Sequence, residues 1–304
     1  MSTIISMTNI DGTISPTEDA RIPVLDRGFL YGDSVYEVFR TYTGVPLFYD
    51  EHFDRLENSA QLISMHIKQS REELTEEIRR TVKASVSGKG ADVYVRYQIT
   101  RGEGKIDLYP SPDLQTRYVI IVKELPPWNE DFYSIGMSMA VPSVRRNPVN
   151  SLDPNIKGGN YLNNILALTQ AREYGADDCV ILSREGNVTE ASNSNVWFVI
   201  DNELVTPGSG NLKGLTKRAL HEALKDNGVA SQERNVRGDE IASATECFVS
   251  SATREIMPVK SIRLENGNVV EFPSGGGDIT RKAQSAFKEF IASYLEAHEH
   301  LRLF

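Results

Sequence analysis

The stretch "NPVNSLDPNIKGGNYLNNILAL", Asn147 to Leu168, sets a lysine between an isoleucine and two glycines, just ahead of an apolar helical pattern. Lysine is ordinarily a surface residue, and a Gly-Gly pair is a poor helix starter unless something must come close. Two readings follow. Lys157 is an incidental, snorkelling loop charge, the commoner case for a lone lysine, or it points inward to do chemistry. In the second reading Ile156, Gly158 and Gly159 desolvate the amine, lower its pKa and make it a nucleophile toward carbonyls, while the glycines let a planar ligand approach the backbone.

Downstream, a helix using Leu162, Ile165, Leu166 and Thr169 ends near Gly175. Short strands then run through "DCVILSREGNVTEASNSNVWFVIDNELVTP", with turns at Glu185-Gly186-Asn187 and Asp201-Asn202. "GLTKRALHEALKDNG" is a helix closed by Gly228, "ATECFVSSATREIMPVKSI" a strand leading into a polar turn, and "SGGGD" a loop. The C-terminal helix buries Ala283, Ala286, Phe287, Phe290, Ile291 and Leu295. Upstream, Asp11-Gly12 and Thr43-Gly44 are turns between strands, and Phe53, Leu56, Ala60 and Ile63 share one helical face. Ser70 and Glu73 form a capping box ahead of a second helix, and "ADVYVRYQITRG" and "TRYVIIVKEL" are strands. The two prolines of "LPPWNED" stop the last of these and mark a linker.

A chain of 304 residues exceeds one small core. A net charge of −9 argues against a nucleic-acid or anionic-membrane surface, and no run approaches a membrane span or a signal pattern, so a cytoplasmic protein is expected. Cys179 and Cys247 sit in apolar runs and read as small buried hydrophobes, with no disulfide or metal site.

Four further features carry possible chemistry. In "NLKGLTKRAL", Gly214, Leu215 and Thr216 open a helix whose free N–H groups and threonine hydroxyl can hold a phosphate, or Thr216 is only an N-cap; Lys213 and Lys217 read as solvated charges. Glu190 is an acid among strand residues, either exposed at a strand end or buried against donors. "SSATREI" sets three hydroxyls in a turn, a second anion cup or ordinary turn chemistry. Arg55, one position from the Phe53/Leu56 stripe, is a surface residue or reaches inward to a phosphate. Jointly, a reactive lysine, two anion cups, an arginine and a buried acid are what pyridoxal phosphate needs.

Read in order, "DRGFLYGDSVYEVFRTY", "EHFDRLENSA", "VYVRYQITRG", "NIKGGNYLNNILA", "GNVTEASNSNVWFV", "LKGLTKRAL" and "SSATREIMPV" resemble the class IV pyridoxal-phosphate aminotransferases along essentially the whole chain. The resemblance implies an α/β fold of α+β type in two domains, a small one at 1–125 and a large one at 136–304 carrying the lysine. A linker at 126–135 joins them, and the cofactor lies in the interdomain cleft. It implies that Lys157 carries pyridoxal phosphate as a Schiff base and moves the proton, that Glu190 pairs with the ring nitrogen, and that Tyr161 meets the ring oxygen. Arg55, Leu215 and Thr216 would bind the phosphate, and Tyr31, Tyr36, Tyr94 and Arg96 would line the substrate pocket.

Where many relatives have a phosphate-binding threonine this chain has Ala252, so a backbone N–H there or the Thr253 hydroxyl takes that place. "YVR" looks like the branched-chain pattern, in which the arginine meets the distal carboxylate of glutamate. Arg101 falls where D-amino acid enzymes keep a carboxylate-binding arginine, but Glu103 stands where they have a histidine. Five residues apart on a strand, Arg96 and Arg101 alternate to opposite faces unless a bulge or strand end intervenes. The expectation is ping-pong transamination between an L-branched-chain amino acid and 2-oxoglutarate, by a homodimer. The alternatives are a D-amino acid or (R)-amine transaminase using pyruvate or 2-oxoglutarate, aminodeoxychorismate lyase, and, from another class, a non-catalytic phosphate-binding module.

Overall fold

The hairpin turns form as their residues dictate. Asp11 and Gly12 sit at φ 48° and 91°, and Thr43 and Gly44 at 50° and 89°, the left-handed pairs that two-residue hairpins require. They belong to a computed structural model that describes residues 3–88, 92–125 and 127–304. The chain divides into one unit of Met1–Pro126, Ile156–Asn160 and Tyr294–Phe304, and another of Pro127–Asn155 and Tyr161–Ser293. The expected linker at 126–135 begins at Pro126, which lies outside the described residues.

The first unit is built on a six-stranded antiparallel sheet in the order Thr13–Pro16, Met7–Ile10, Arg117–Glu124, Val93–Thr100, Ser34–Tyr42, Val45–Pro46. Alternation along Val93–Thr100 sorts its side chains. Val93, Val95, Tyr97 and Ile99 are buried in one core with residues of the helices Tyr49–Leu62 and Arg71–Ser85, among them Phe53, Leu56, Leu74 and Ile78. Tyr94, Arg96 and Gln98 turn to the other face and are half-buried. Ser70 and Glu73 close the capping box of the second helix.

The lysine segment departs from the expected division of the chain. It joins the N-terminal unit, because Gly158 bridges Val35, Tyr36 N–H donates to the Lys157 carbonyl (2.9 Å) and Gly159 N–H to the Ser34 carbonyl (2.9 Å). The two glycines permit this close approach to a strand: a Cβ at Gly159 would run into Ser34 Oγ, and one at Gly158 would lie 3.2 Å from the Ser34 carbonyl oxygen.

The second unit is built on a nine-stranded mixed sheet, running Val188–Ala191, Asp178–Leu182, Met137–Ala140, Glu255–Arg263, Glu246–Ser251, Asn195–Ile200, Glu203–Pro207, Ser231–Arg234, with Val269–Glu271 beside Glu255–Arg263. Asp178–Leu182 and Asn195–Ile200 are buried along their whole length. Cys179 and Cys247 are buried free thiols, and burial pushes both well up.

The helix Leu162–Glu173 buries Asn164, Ala167 and Ala171, packing its alanines with Ala140, Cys179 and Ile181, and leaves Leu162, Ile165, Leu166 and Thr169 exposed. Small side chains let this helix sit close to the sheet, so the larger apolar stripe faces outward. Lys217 is buried rather than solvated: Nζ pairs with Glu233 Oε2 at 2.9 Å and donates to the Pro207 carbonyl at 3.2 Å. In the C-terminal helix Asp278–Ala297, Ala283, Ala286, Phe287 and Ile291 are buried while Phe290 and Leu295 are half-buried.

Candidate active site

In the first unit, edge pairing beside the Ser34–Tyr42 strand fixes the backbone of Lys157. Its Nζ lies 4.7 Å from the centroid of the Tyr36 ring, and the Arg96 guanidinium carbon lies 3.6 Å from the same centroid. One phenol thus carries both cations, which are no further apart than those two distances combined. Arg96 donates to Gln98 Oε1 (2.8 Å), and Gln98 Nε2 donates to Ser34 Oγ (2.8 Å). Tyr94 shares this face; burial raises its phenol, opposed by Arg96. Tyr31 ends the short helix Arg27–Tyr31, its ring 4.9 Å from the Arg27 guanidinium.

Arg55 reaches inward from Tyr49–Leu62, where it meets an acid that the sequence reading missed. Glu37, fully buried, accepts from Arg55 Nε and Nη2 at 2.7 Å each and lies 2.7 Å from His52 Nδ1. A carboxylate only accepts, so Nδ1 carries the hydrogen. Burial raises the Glu37 carboxyl, but Arg55 and then His52 outweigh it and hold the group well below its ordinary range. Burial lowers His52; Glu37 opposes this, while Arg55 and Lys157 add to it. One helical turn beyond Arg55, Ser59 Oγ accepts from the Lys157 N–H (3.1 Å), so the same helix carries Arg55 and supports the lysine backbone.

Arg101 stands apart from Arg96. It follows the last residue of its strand, and its guanidinium is engaged by Asp33 Oδ2 (2.7 Å) and the carbonyls of Ile63 (2.8 Å) and Ser64 (3.0 Å). Through these two carbonyls it clamps the C-terminal end of the helix Tyr49–Leu62.

In the second unit Glu190 is 6% exposed, which decides between the exposed and buried readings of that acid. Arg146 Nη2 meets its Oε1 at 2.8 Å, and the Leu212 N–H donates to Oε2 at 3.1 Å. Asn164 and Asn163 accept from Arg146 Nη1 at 3.0 and 3.3 Å. Tyr161 stands at the N-terminal cap of the helix that carries both asparagines.

Three residues beyond Leu212, Leu215 and Thr216 open the helix Leu215–Asp226, both buried. The cap is Gly214, so Thr216 is a first-turn residue and not the N-cap; a Cβ at Gly214 would strike Asn195 Oδ1. Asn195 is register-paired with Ser250, immediately before the turn of Ser251, Ala252 and Thr253. The two anion cups therefore adjoin within one unit, and Glu190 adjoins the first of them. Trp128 Nε1 donates to the Thr253 carbonyl (2.9 Å), and Arg254, ion-paired with buried Asp178 at 2.6 Å, sends its N–H to Ser251 Oγ (3.2 Å).

Glu37 and Gln98 were legible in principle. Strand parity puts Glu37 with Val35 and Phe39, and Gln98 with Arg96. Arg146 gave no signal beyond a basic pair.

A family model described as amino-transferase class IV matches residues 34–262. A provisionally named branched-chain-amino-acid aminotransferase of Methanocaldococcus jannaschii is 33% identical over 285 residues, 92% of this chain and 94% of that protein. A D-alanine aminotransferase of Staphylococcus epidermidis is 31% identical over 292 residues, 94% of this chain and 98% of its own length. Among solved structures, the branched-chain aminotransferase of Thermoproteus uzoniensis with norvaline superposes with a TM-score of 0.83 at 28% identity, covering 97% of this chain and 98% of that one. The T.th. branched-chain amino acid aminotransferase with pyridoxamine 5'-phosphate gives 0.81 at 27% identity, covering 94% of each chain. The fold is that of the branched-chain aminotransferases.

Proposed function

The chain belongs to the class IV aminotransferases, and we propose that it moves an amino group between an L-branched-chain amino acid and 2-oxoglutarate in a ping-pong sequence. Its cofactor is pyridoxal phosphate, and the donor set fits that group: an amine at Lys157, a nearly buried carboxylate at Glu190, helix-opening N–H groups at Leu215 and Thr216, and turn hydroxyls at Ser251 and Thr253. When bound, the cofactor supplies an electron sink that makes the donor Cα–H acidic.

The protein's own residues do the rest. Lys157 would hold the cofactor through Nζ and, once the donor amine replaces it, take and return the proton at Cα. Glu190, kept in place by Arg146 and the Leu212 N–H, would face the ring nitrogen, and Tyr161 the ring oxygen. Arg55, the N–H groups of Leu215 and Ala252, and the hydroxyls of Thr216 and Thr253 would take the phosphate. Tyr31, Tyr36, Tyr94 and Arg96 would border the substrate.

The observation that carries the substrate reading is the Tyr36 ring under both Lys157 and Arg96. It supports a dicarboxylate whose reacting carbon meets the lysine and whose second carboxylate meets the guanidinium. The engagement of Arg101 by Asp33 speaks against the D-amino acid reading that needed it. We further propose a homodimer, in which the exposed Leu162, Ile165 and Leu166 supply an apolar face of the kind that subunits cover.

The test is a half-reaction absorbance screen of the purified protein with L-Leu, L-Glu, D-Ala, D-Glu and (R)-1-phenylethylamine. L-Leu and L-Glu should shift the cofactor spectrum, and Lys157→Ala should abolish turnover. A response to D-Ala or the amine alone overturns the substrate reading; near-normal turnover by Lys157→Ala overturns the role of the lysine.

A further inference from the structure

We propose that Gln98 is a positioning residue that gives Arg96 its preference for a dicarboxylate acceptor, an inference that rests on the Arg96 reading above. Gln98 lies two residues beyond Arg96 on Val93–Thr100 and directly opposite Tyr36 on Ser34–Tyr42, so all three side chains share one sheet face. Its amide is used at both ends: Oε1 accepts from Arg96 Nη2 at 2.8 Å, and Nε2 donates to Ser34 Oγ at 2.8 Å. An arginine only donates, so the carbonyl end must face Arg96 and the amide orientation is fixed by chemistry.

The relay continues to the lysine. Ser34 is buried, its carbonyl accepts from Gly159 N–H at 2.9 Å, and its Oγ fills the space that a Cβ on Gly159 would need. Arg96 is thus held from two directions, by the Tyr36 ring at 3.6 Å and by Gln98, and the second hold is anchored on the loop that carries Lys157. A guanidinium recognises a carboxylate through a planar fork, so its orientation matters as well as its charge. Without Gln98 the charge remains but the fork is no longer aimed at a fixed distance from the lysine. Recognition of a second carboxylate should fall, while recognition of a monocarboxylate with an aliphatic tail should not.

The experiment uses the holoenzyme and its Gln98→Leu and Gln98→Asn variants, with folding checked by circular dichroism. Binding of unreactive glutarate and 4-methylvalerate is measured by calorimetry, and KM for 2-oxoglutarate and 4-methyl-2-oxopentanoate by steady-state rates. For each variant, glutarate binding should weaken and the KM for 2-oxoglutarate rise about tenfold, the scale of one lost charge-assisted hydrogen bond, with the monocarboxylate values within about twofold. Parallel loss for both acid classes, or no change in either, overturns the proposal. Arg96→Gln is the reference arm. If it leaves glutarate binding intact, the acceptor reading itself fails; if it loses glutarate and the Gln98 variants do not, only the role of Gln98 fails.

Discussion

Arg55 and Glu37 meet at two points, Nε on Oε1 and Nη2 on Oε2, each at 2.7 Å, with the carboxylate fully buried and the arginine largely so. Removing one member of such a pair strands the other in a medium that cannot solvate it. Glu37→Gln should cost about 3–5 kcal/mol of stability, measured by urea denaturation. Arg55→Met combined with Glu37→Gln should recover part of that loss, because the stranded charge is gone. If the losses of Glu37→Gln and Arg55→Met simply add in the double variant, the pair is not energetically coupled.

His52 makes stability fall toward acid. Its folded pKa lies below the ordinary value of 6.5, so between the two values the unfolded chain binds a proton that the folded chain refuses. The contribution is complete above pH 6.5 and declines as pH drops through that value. The lowered Glu37 carboxyl acts in the same direction at more acidic pH, below the ordinary carboxylate range. Denaturation of wild type and His52→Asn at about pH 7.5 and about pH 5.5, on either side of the ordinary histidine value, should show a smaller acid loss in the variant. Identical losses would place the titration elsewhere.

Gly159→Ala should lower the melting temperature more than Gly158→Ala, since one new methyl runs into Ser34 Oγ and the other sits 3.2 Å from a carbonyl oxygen. Ser34→Ala added to Gly159→Ala should restore part of the loss by removing the obstructing hydroxyl. Thermal melts decide it: no recovery in the double variant would place the strain elsewhere.

Glu190→Gln should keep the fold and lower turnover by about 100-fold or more, the usual scale for removing one preorganised electrostatic partner. Arg146→Met should act first on stability, by about 3 kcal/mol, because it leaves a nearly buried carboxylate without its guanidinium. An unchanged rate in Glu190→Gln removes that acid from the site.

What the sequence made legible was local. The Asp11-Gly12 and Thr43-Gly44 hairpins and the Ser70/Glu73 capping box are written in neighbouring residues, and they stand as read. Periodicity found the helix at Leu162 but not its inner face, because an apolar stripe does not say what covers it, and Ala167 and Ala171 pack closer than leucines can. Lys217 was misread because its partners, Pro207 and Glu233, come from other elements. In the site, Lys157, Tyr36 and Arg96 were each named in advance. Their meeting on one ring depends on strand pairing between distant parts of the chain, which no local pattern encodes.

The bridge between Gly158 and Val35 also bears on how this protein can be cut. A fragment ending at Pro126 would look complete on a linear map, yet it would lack both Ile156–Asn160 and Tyr294–Phe304, which belong to the same unit. The start of the Ser34–Tyr42 strand would then be an uncovered edge, open to pairing with another chain. The N-terminal half is therefore not a transplantable module. Grafts or circular permutants that keep Lys157 in register with Tyr36 within an intact unit must carry residues from three separated parts of the chain.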